Sequence, residues 1–266
     1  MKTISFVKYQ ATGNDFILID NWKREISLTK EEVQKLCHRQ LGIGSDGLIL
    51  LENSKEADFE MKFYNPDGST EMMCGNGARS IVAFAQSLNL IESSTIFIAP
   101  DGLHNAEILS QIGNKHIIKL SLQDVGKIVE YEDGQYLNTG TSHFVKEIGD
   151  ISQIDIIEKG RKIRYDKRFE EHNGTNANFI QAISNSELKI RTYERGVENE
   201  TLSCGTGVTA SAIAYAEKHK ITSSPITIHS KGGELKVYFT KTPQNTYSNI
   251  YLQAEVERVF EGQINL

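Results

Sequence analysis

The chain has 266 residues, 39% hydrophobic and 24% charged, with a formal net charge of −6. That is apolar material for a real core and length for two lobes. The acidic balance excludes a nucleic-acid or anionic-membrane partner, since either calls for a basic face, and leaves a small anionic ligand open.

Met1-Lys2-Thr3-Ile4-Ser5-Phe6-Val7-Lys8 lacks the apolar stretch of a signal peptide, and nowhere do about 18 apolar residues run together. A soluble, cytoplasmic protein is expected. Apolar runs closed by Gly, Asn, Asp or Pro turns predict strands over Phe6–Tyr9 and Phe16–Ile19. Thr29 and Glu32 form a capping box ahead of a helix over Lys30–Arg39, whose Val33, Leu36 and Cys37 share one face. Cys37 therefore reads as a buried core thiol. Strands follow at Leu48–Leu51 and Phe59–Tyr64, then a helix at Gly77–Leu88, strands at Thr95–Ile98 and His116–Leu122, and a helix around Ile154–Tyr165. Strands at Phe179–Ile183 and Leu188–Tyr193 lead to a helix at Gly207–His219, and Ile226–His229, Leu235–Phe239 and Val256–Phe260 close the series. Short strands far outnumber helices, an α+β pattern. The three cysteines, Cys37, Cys74 and Cys204, are too few and too odd in number for a secreted disulfide framework and fit a reducing compartment.

One pattern occurs twice. Phe59-Glu-Met-Lys-Phe-Tyr-Asn-Pro-Asp-Gly68 leads to Cys74-Gly-Asn-Gly77 and a helix; Leu188-Lys-Ile-Arg-Thr-Tyr-Glu-Arg-Gly196 leads to Cys204-Gly-Thr-Gly207 and a helix. The copies are 204 − 74 = 130 residues apart, close to half the chain, as two lobes of one repeated design require. Asn14-Asp15-Phe16 and Asn176-Ala177-Asn178-Phe179 form a weaker echo. The expectation is two pseudo-symmetric lobes, each a mostly antiparallel sheet wrapped around a central helix, facing each other across a cleft. The first lobe would span residues 1–122, with 256–266 returning to it, and the second 123–255.

A cysteine at a helix start sits at the positive end of the macrodipole beside N–H groups that lack intrahelical partners, which favours thiolate. The flanking glycines let backbone amides approach a carboxylate closely. Two such turns facing one carbon place a thiolate and a thiol on its opposite sides. One removes a proton and the other returns one to the opposite face.

Each piece also has a plainer reading. A single Cys-Gly-x-Gly is more often a tight helix start than a catalytic site, and the repetition is what reverses that. Gly205-x-Gly207-x-x-Ala210 matches the dinucleotide fingerprint but lacks a βαβ context. Metal binding by Cys74, Cys204 and a histidine lacks paired ligand spacing, so no metal is expected. Taken alone, His143 reads as a surface or satisfied core histidine, and Glu194 and Arg195 as an exposed strand-end pair.

Ala11-Thr-Gly-Asn14-Asp15-Phe16, Gly42-Ile-Gly-Ser-Asp46-Gly47, Asn65-Pro-Asp-Gly68, Met73-Cys74-Gly75-Asn76-Gly77-Ala78-Arg79, Asn176-Ala-Asn-Phe179, Tyr193-Glu194-Arg195-Gly196 and Ser203-Cys204-Gly205-Thr206-Gly207 resemble, in order across essentially the whole chain, the blocks of the diaminopimelate epimerases. The resemblance implies two similar α/β lobes, no pyridoxal phosphate or other cofactor, a homodimer, and interconversion of LL- and meso-diaminopimelate in lysine and peptidoglycan supply. It makes Cys74 and Cys204 the acid/base pair, the first handling the proton of the LL isomer and the second that of the meso isomer. Gly75, Asn76, Gly205 and Thr206 would bind the reacting carboxylate. Asn14, Asn65, Asn176, Glu194 and Arg195 would hold the substrate, the last three mostly at its distal end, and His143 and Glu194 would adjust the cysteine pKa values. Arg195 suits a bidentate carboxylate contact.

The chain departs from the family pattern twice. Gly140-Thr141-Ser142-His143 stands where many members have Gly-Asn-Pro-His, so Thr141 takes the place of a ligand-contacting asparagine. Gly47 stands where some members have a substrate-touching glutamine. A proline or hydroxyproline racemase shares the two-cysteine logic, but those relatives usually show His where this chain has Asn76 and lack the Glu194-Arg195 pair. A non-catalytic amino-acid-binding or redox-sensing protein would need only one of the two cysteines.

Overall fold

A computed structural model describes residues 3–70 and 73–266; Met1 and Lys2, read above as part of an N-terminus without signal-peptide character, lie outside the described residues. The chain divides into two compact units, Met1–Leu120 with Ala254–Leu266, and Ser121–Gln253. Among the described residues no helix is long and apolar enough to cross a membrane.

In the first unit, β1 (Thr3–Ala11) pairs antiparallel with β2 (Asn14–Asp20), and β2 runs parallel to β3 (Gly47–Glu52) after a crossover through α1 (Lys30–Cys37). Next, β3 pairs antiparallel with β4 (Phe59–Tyr64), and β4 runs parallel to β5 (Ser94–Ala99) after a crossover through α2 (Gly75–Ser87). The antiparallel strands β6 (Gly102–Ile112) and β7 (Lys115–Ser121) complete the run. The end of the chain's last strand pairs with both β7 and β1, which closes these strands into a ring. Thr29 caps α1 through the expected box with Glu32, and Val33, Leu36 and Cys37 are buried.

Inside the ring α2 is buried on every side from Asn76 to Ala85 and touches β1, β2, β3, β4 and β6. A helix apolar or small all round is a core helix, and Gly77, Ala78, Ser80, Ala83 and Ala85 keep it thin enough for strands to pack on every face.

The second unit repeats this sequence of pairings. The antiparallel strands β8 (Val129–Tyr131), β9 (Gly134–Asn138) and β10 (Ser142–Glu147) come first. β10 runs parallel to β11 (Asn176–Ser184) after α3 (Ile156–Arg164), and β11 pairs antiparallel with β12 (Glu187–Glu194), which carries the short β13 (Asn199–Thr201). β12 runs parallel to β14 (Ile226–Ser230) after α4 (Gly205–His219), followed by β15 (Gly233–Lys241) and the first part of β16 (Tyr247–Asn265). Again the helix is internal: α4 is buried from Gly207 to Ala216 and touches β9, β10, β11, β12, β14 and β15.

Strands β6, β8, β9, β10 and β13 were not expected from the sequence, and β16 is far longer than Val256–Phe260. β6 buries His104 along with Ala106 and Ile108, and β10 buries Ser142 and His143 along with Phe144 and Val145, so the apolar alternation in each is short and interrupted by polar residues. Both core helices begin two residues earlier than expected, because the cysteine before each is itself the N-cap.

Candidate active site

Cys74 is the N-cap of α2, in extended conformation (φ −114°, ψ 114°) and without a side-chain capping bond. The first helical bond runs from Ala78 N to Cys74 O at 2.8 Å, so the amides of Gly75, Asn76 and Gly77 have no partner within the helix. Among the described residues, a Cβ added to Gly75 would meet nothing within 4 Å.

Around this helix start a polar chain fixes three side-chain amides and carboxylates in turn. Arg79, fully buried, donates from Nη2 to Asn76 Oδ1 at 2.6 Å; Asn76 Nδ2 donates to Asn14 Oδ1 at 2.8 Å; Asn14 Nδ2 donates to Asp46 Oδ2 at 2.8 Å. Arg39 binds both Asp46 and Asp15, and Lys8 binds Asp15. Burial pushes the Asp15 carboxyl up, but hydrogen bonds from Arg39 and Lys8 outweigh it and hold the group far below the usual carboxylate range. Burial pushes the Arg79 guanidinium down to about 10, opposed by the Cys74 sulfur. Its Nε and Nη1 are buried without hydrogen-bond partners among the described residues. Asn65 bonds within its own turn, donating from Nδ2 to Ser69 Oγ at 2.9 Å.

Cys204 is the N-cap of α4 in nearly the same conformation (φ −122°, ψ 110°), also without a side-chain capping bond. Its Sγ lies 3.4 Å from Thr206 Oγ1, which lies 2.9 Å from His143 Nε2; Thr141 Oγ1 is 2.9 Å from the same nitrogen and 3.3 Å from Thr206 Oγ1. Gly140, at φ +100°, makes the turn that brings Thr141 there, and Thr139 Oγ1 donates to Thr206 O at 2.9 Å. Burial, helped by the Arg195 charge, pushes His143 down to about 3, so the ring is neutral.

A second cluster joins Asn176 and Arg195. Asn176 Nδ2 donates to Ser142 O at 2.9 Å and Asn176 Oδ1 accepts from Arg195 N at 2.8 Å, while Arg195 Nη1 donates to His172 O at 2.8 Å. Glu194 ends β12, opposite Asn199 of β13. The expected residues of each unit are thus mostly brought together: Asn14 and Asn76 at the Cys74 helix, and Thr141, His143 and Thr206 at the Cys204 helix. Gly47 offers no side chain, and a Cβ there would sit 2.7 Å from Phe63 Cε2.

Asp46 and Arg79, with Asp15, Arg39 and Lys8 behind them, had no role assigned from the sequence; nor had Asn178, whose Nδ2 lies 3.1 Å from His143 Nδ1, or Thr192, whose Oγ1 donates to Asn178 Oδ1 at 3.0 Å. For Asn178 a signal was available, since it stands two residues after Asn176 on a strand and so shares its face. For Arg79 it was the three-residue helical spacing from Asn76. Cavities of about 310 Å³ beside Trp22 and Leu88, and about 320 Å³ beside Tyr131 and Lys218, are lined by neither site cysteine.

The diaminopimelate epimerase family model matches residues 6–121 and 135–258. The chain belongs to the diaminopimelate epimerase family. The Flavobacterium psychrophilum diaminopimelate epimerase is 47% identical over 262 residues, covering 97% of this chain and 98% of that one. The Aquifex aeolicus diaminopimelate epimerase is 37% identical over 281 residues, with 98% of each covered. Among solved structures, the Bacillus anthracis phenazine biosynthesis protein of the PhzF family matches over 100% of both chains with a TM-score of 0.78 at 17% identity, a likeness of fold alone. Family membership makes the protein an enzyme of the isomerase class.

Proposed function

We propose that this protein interconverts LL- and meso-diaminopimelate by proton transfer between Cys74, Cys204 and one α-carbon, with no cofactor. Epimerisation of diaminopimelate is the activity that names its family, and the chain carries the family's match over nearly its whole length. One observation carries the mechanism: in each unit a cysteine N-caps a helix buried along its central ten residues, with a glycine next and no side-chain capping bond. A bare helix start favours both a thiolate and a bound carboxylate.

In this reading two pseudo-symmetric lobes, residues 1–122 with 256–266 and residues 123–255, hold the active site in the cleft between them. One cysteine, as thiolate, takes the α-hydrogen as a proton. The C–H electron pair passes into the substrate carboxylate, whose growing charge is met by the amides of Gly75, Asn76, Gly205 and Thr206. The opposite thiol gives its proton to the other face of the carbon, so each turnover leaves thiol and thiolate exchanged. Cys74 removes the proton of the LL isomer and Cys204 that of the meso isomer. Asn14, Asn65, Asn176, Glu194 and Arg195 hold the substrate, Thr141 borders it through its cluster with His143 and Thr206, and His143 and Glu194 adjust the cysteines. A cytoplasmic homodimer serving lysine and peptidoglycan precursor synthesis completes the reading.

The test is incubation of the purified protein with LL-diaminopimelate alone, followed by separation of isomers. The meso isomer should accumulate, and Cys74→Ala and Cys204→Ala should each lose at least about 100-fold in rate. No meso product, or a full rate in either variant, contradicts the reading.

A further inference from the structure

The third residue of each core helix shows how the two units differ. A Cβ on Gly77 would meet the side chains of Ile49, Met61 and Phe16; on Gly207 it would meet Asn178 Oδ1 at 2.5 Å and His143 Cε1 at 3.3 Å. Hydrocarbon underlies the Cys74 helix, whereas two polar side chains at 0% exposure underlie the Cys204 helix. Burying an amide and an imidazole is costly unless their hydrogen bonds are complete.

The directions of those bonds follow by elimination. Asn178 Nδ2 lies 3.2 Å from Phe144 O, which can only accept, and Thr192 Oγ1 donates to Asn178 Oδ1 at 3.0 Å. The same Nδ2 lies 3.1 Å from His143 Nδ1, so it donates there and Nδ1 accepts. A neutral ring accepting at Nδ1 carries its proton on Nε2. That N–H faces the hydroxyls of Thr206 and Thr141, both 2.9 Å away, which therefore accept. With its lone pair turned to the ring, directly or through Thr141, the Thr206 hydroxyl has its proton free for the sulfur 3.4 Å away.

Resting on the two-cysteine reading above, we propose that Asn178 is a positioning residue for Cys204. It locks His143 in the Nε2–H tautomer and so points the Thr206 hydroxyl proton at the Cys204 sulfur, where it stabilises the thiolate. The Arg195 guanidinium acts on the ring and with burial keeps His143 neutral, and Cys204 stands at the far end of the relay. Gly207 is part of the device, because any side chain there would displace Asn178. The Cys74 side has hydrocarbon at the matching position, so its sulfur depends on other groups, Arg79 among them.

The test reads thiol ionisation and ring tautomer and needs no turnover. Alkylation of the whole protein by iodoacetamide across pH, with peptide mapping, gives separate midpoints for Cys74 and Cys204. Nitrogen-15 spectra of labelled histidine, assigned by the signal lost in His143→Gln, give the tautomer. In the wild type His143 should be neutral with the proton on Nε2. Asn178→Asp, whose carboxylate accepts from Nδ1–H, should reverse the tautomer. It should also raise the Cys204 midpoint by about one pH unit, the scale of one hydrogen bond to a charged group. Thr206→Val should raise that midpoint equally, Thr206→Ser should restore it, and the Cys74 midpoint should stay put throughout. A wild-type ring protonated on Nδ1, or a Cys204 midpoint unmoved in Thr206→Val, overturns the proposal. Either failure in a protein that still epimerises diaminopimelate removes the relay alone; an intact relay without epimerisation removes the functional reading alone.

Discussion

Asn76 donates through Nδ2 to Asn14 Oδ1 at 2.8 Å, while Arg79 holds the other end of the same amide at 2.6 Å and so fixes its orientation. Arg79 is fully buried, so its removal leaves both a void and an unpaired amide oxygen. Arg79→Ala should cost about 3 kcal/mol or more in stability by urea unfolding, and the apolar, longer Arg79→Met distinctly less. Both should lower kcat/KM at least about tenfold, because a misplaced first-turn side chain shifts the substrate it positions. Wild-type kinetics in Arg79→Met would show that the network does not serve the site.

Gly75 and Gly207 should respond oppositely to the same change. Among the described residues a methyl on Gly75 meets nothing within 4 Å, whereas one on Gly207 falls 2.5 Å from Asn178 Oδ1, which is pinned by Thr192 and the Phe144 carbonyl. Gly207→Ala should destabilise the protein by about 1–3 kcal/mol, as overpacking does. Gly75→Ala should fold as well as wild type yet lose activity, since its methyl occupies the approach to the helix-start amides. Thermal melts and initial rates separate the two effects; equal losses of stability would refute the contrast.

The contrast also shows how far the sequence could be read. The repeated Cys-Gly-x-Gly located both helix starts to within two residues, because glycine spacing and an abrupt apolar helix are local features. What lies beneath each helix comes from strands distant in sequence: Phe16, Ile49 and Met61 in one unit, His143 and Asn178 in the other. No local pattern distinguishes a histidine buried on β10 from an exposed one, which is why β10 itself escaped the apolar-alternation reading. Arg79, judged from the sequence, is an ordinary helical arginine; only a helix surrounded by strands makes it a buried one.

Arg195 should set specificity. Its Nη1 is anchored to the carbonyls of His172 and Gly174, at 2.8 and 3.3 Å, which orients the planar fork as a lysine ammonium could not. Arg195→Lys should reduce diaminopimelate turnover by about 100-fold, because the distal end fixes where the α-carbon sits. Wild-type protein should leave lysine, proline and alanine unchanged, as they lack a distal carboxylate. Racemisation of any of them at a comparable rate would refute this assignment.

His143 makes a prediction for acid. Its folded-state value near 3 lies below its ordinary 6.5, so the unfolded chain takes up a proton that the native ring refuses. Stability should therefore be complete above pH 6.5 and fall as the pH drops from there toward 3, by up to about 1.4 kcal/mol per pH unit from this group. Urea midpoints at pH 7, 5 and 4 should fall more steeply in the wild type than in His143→Gln. Parallel curves would mean that the ring protonates in the native state.

The most direct measurement of the central claim is the fate of the α-hydrogen. Purified protein is incubated in D₂O with LL-diaminopimelate, without added cofactor, and the meso product is mapped at early conversion. A two-cysteine mechanism predicts one deuterium per meso molecule, at the inverted α-carbon only, because the returned proton comes from a thiol that has exchanged with solvent. Meso product without deuterium, or turnover that appears only when pyridoxal phosphate is supplied, would contradict it.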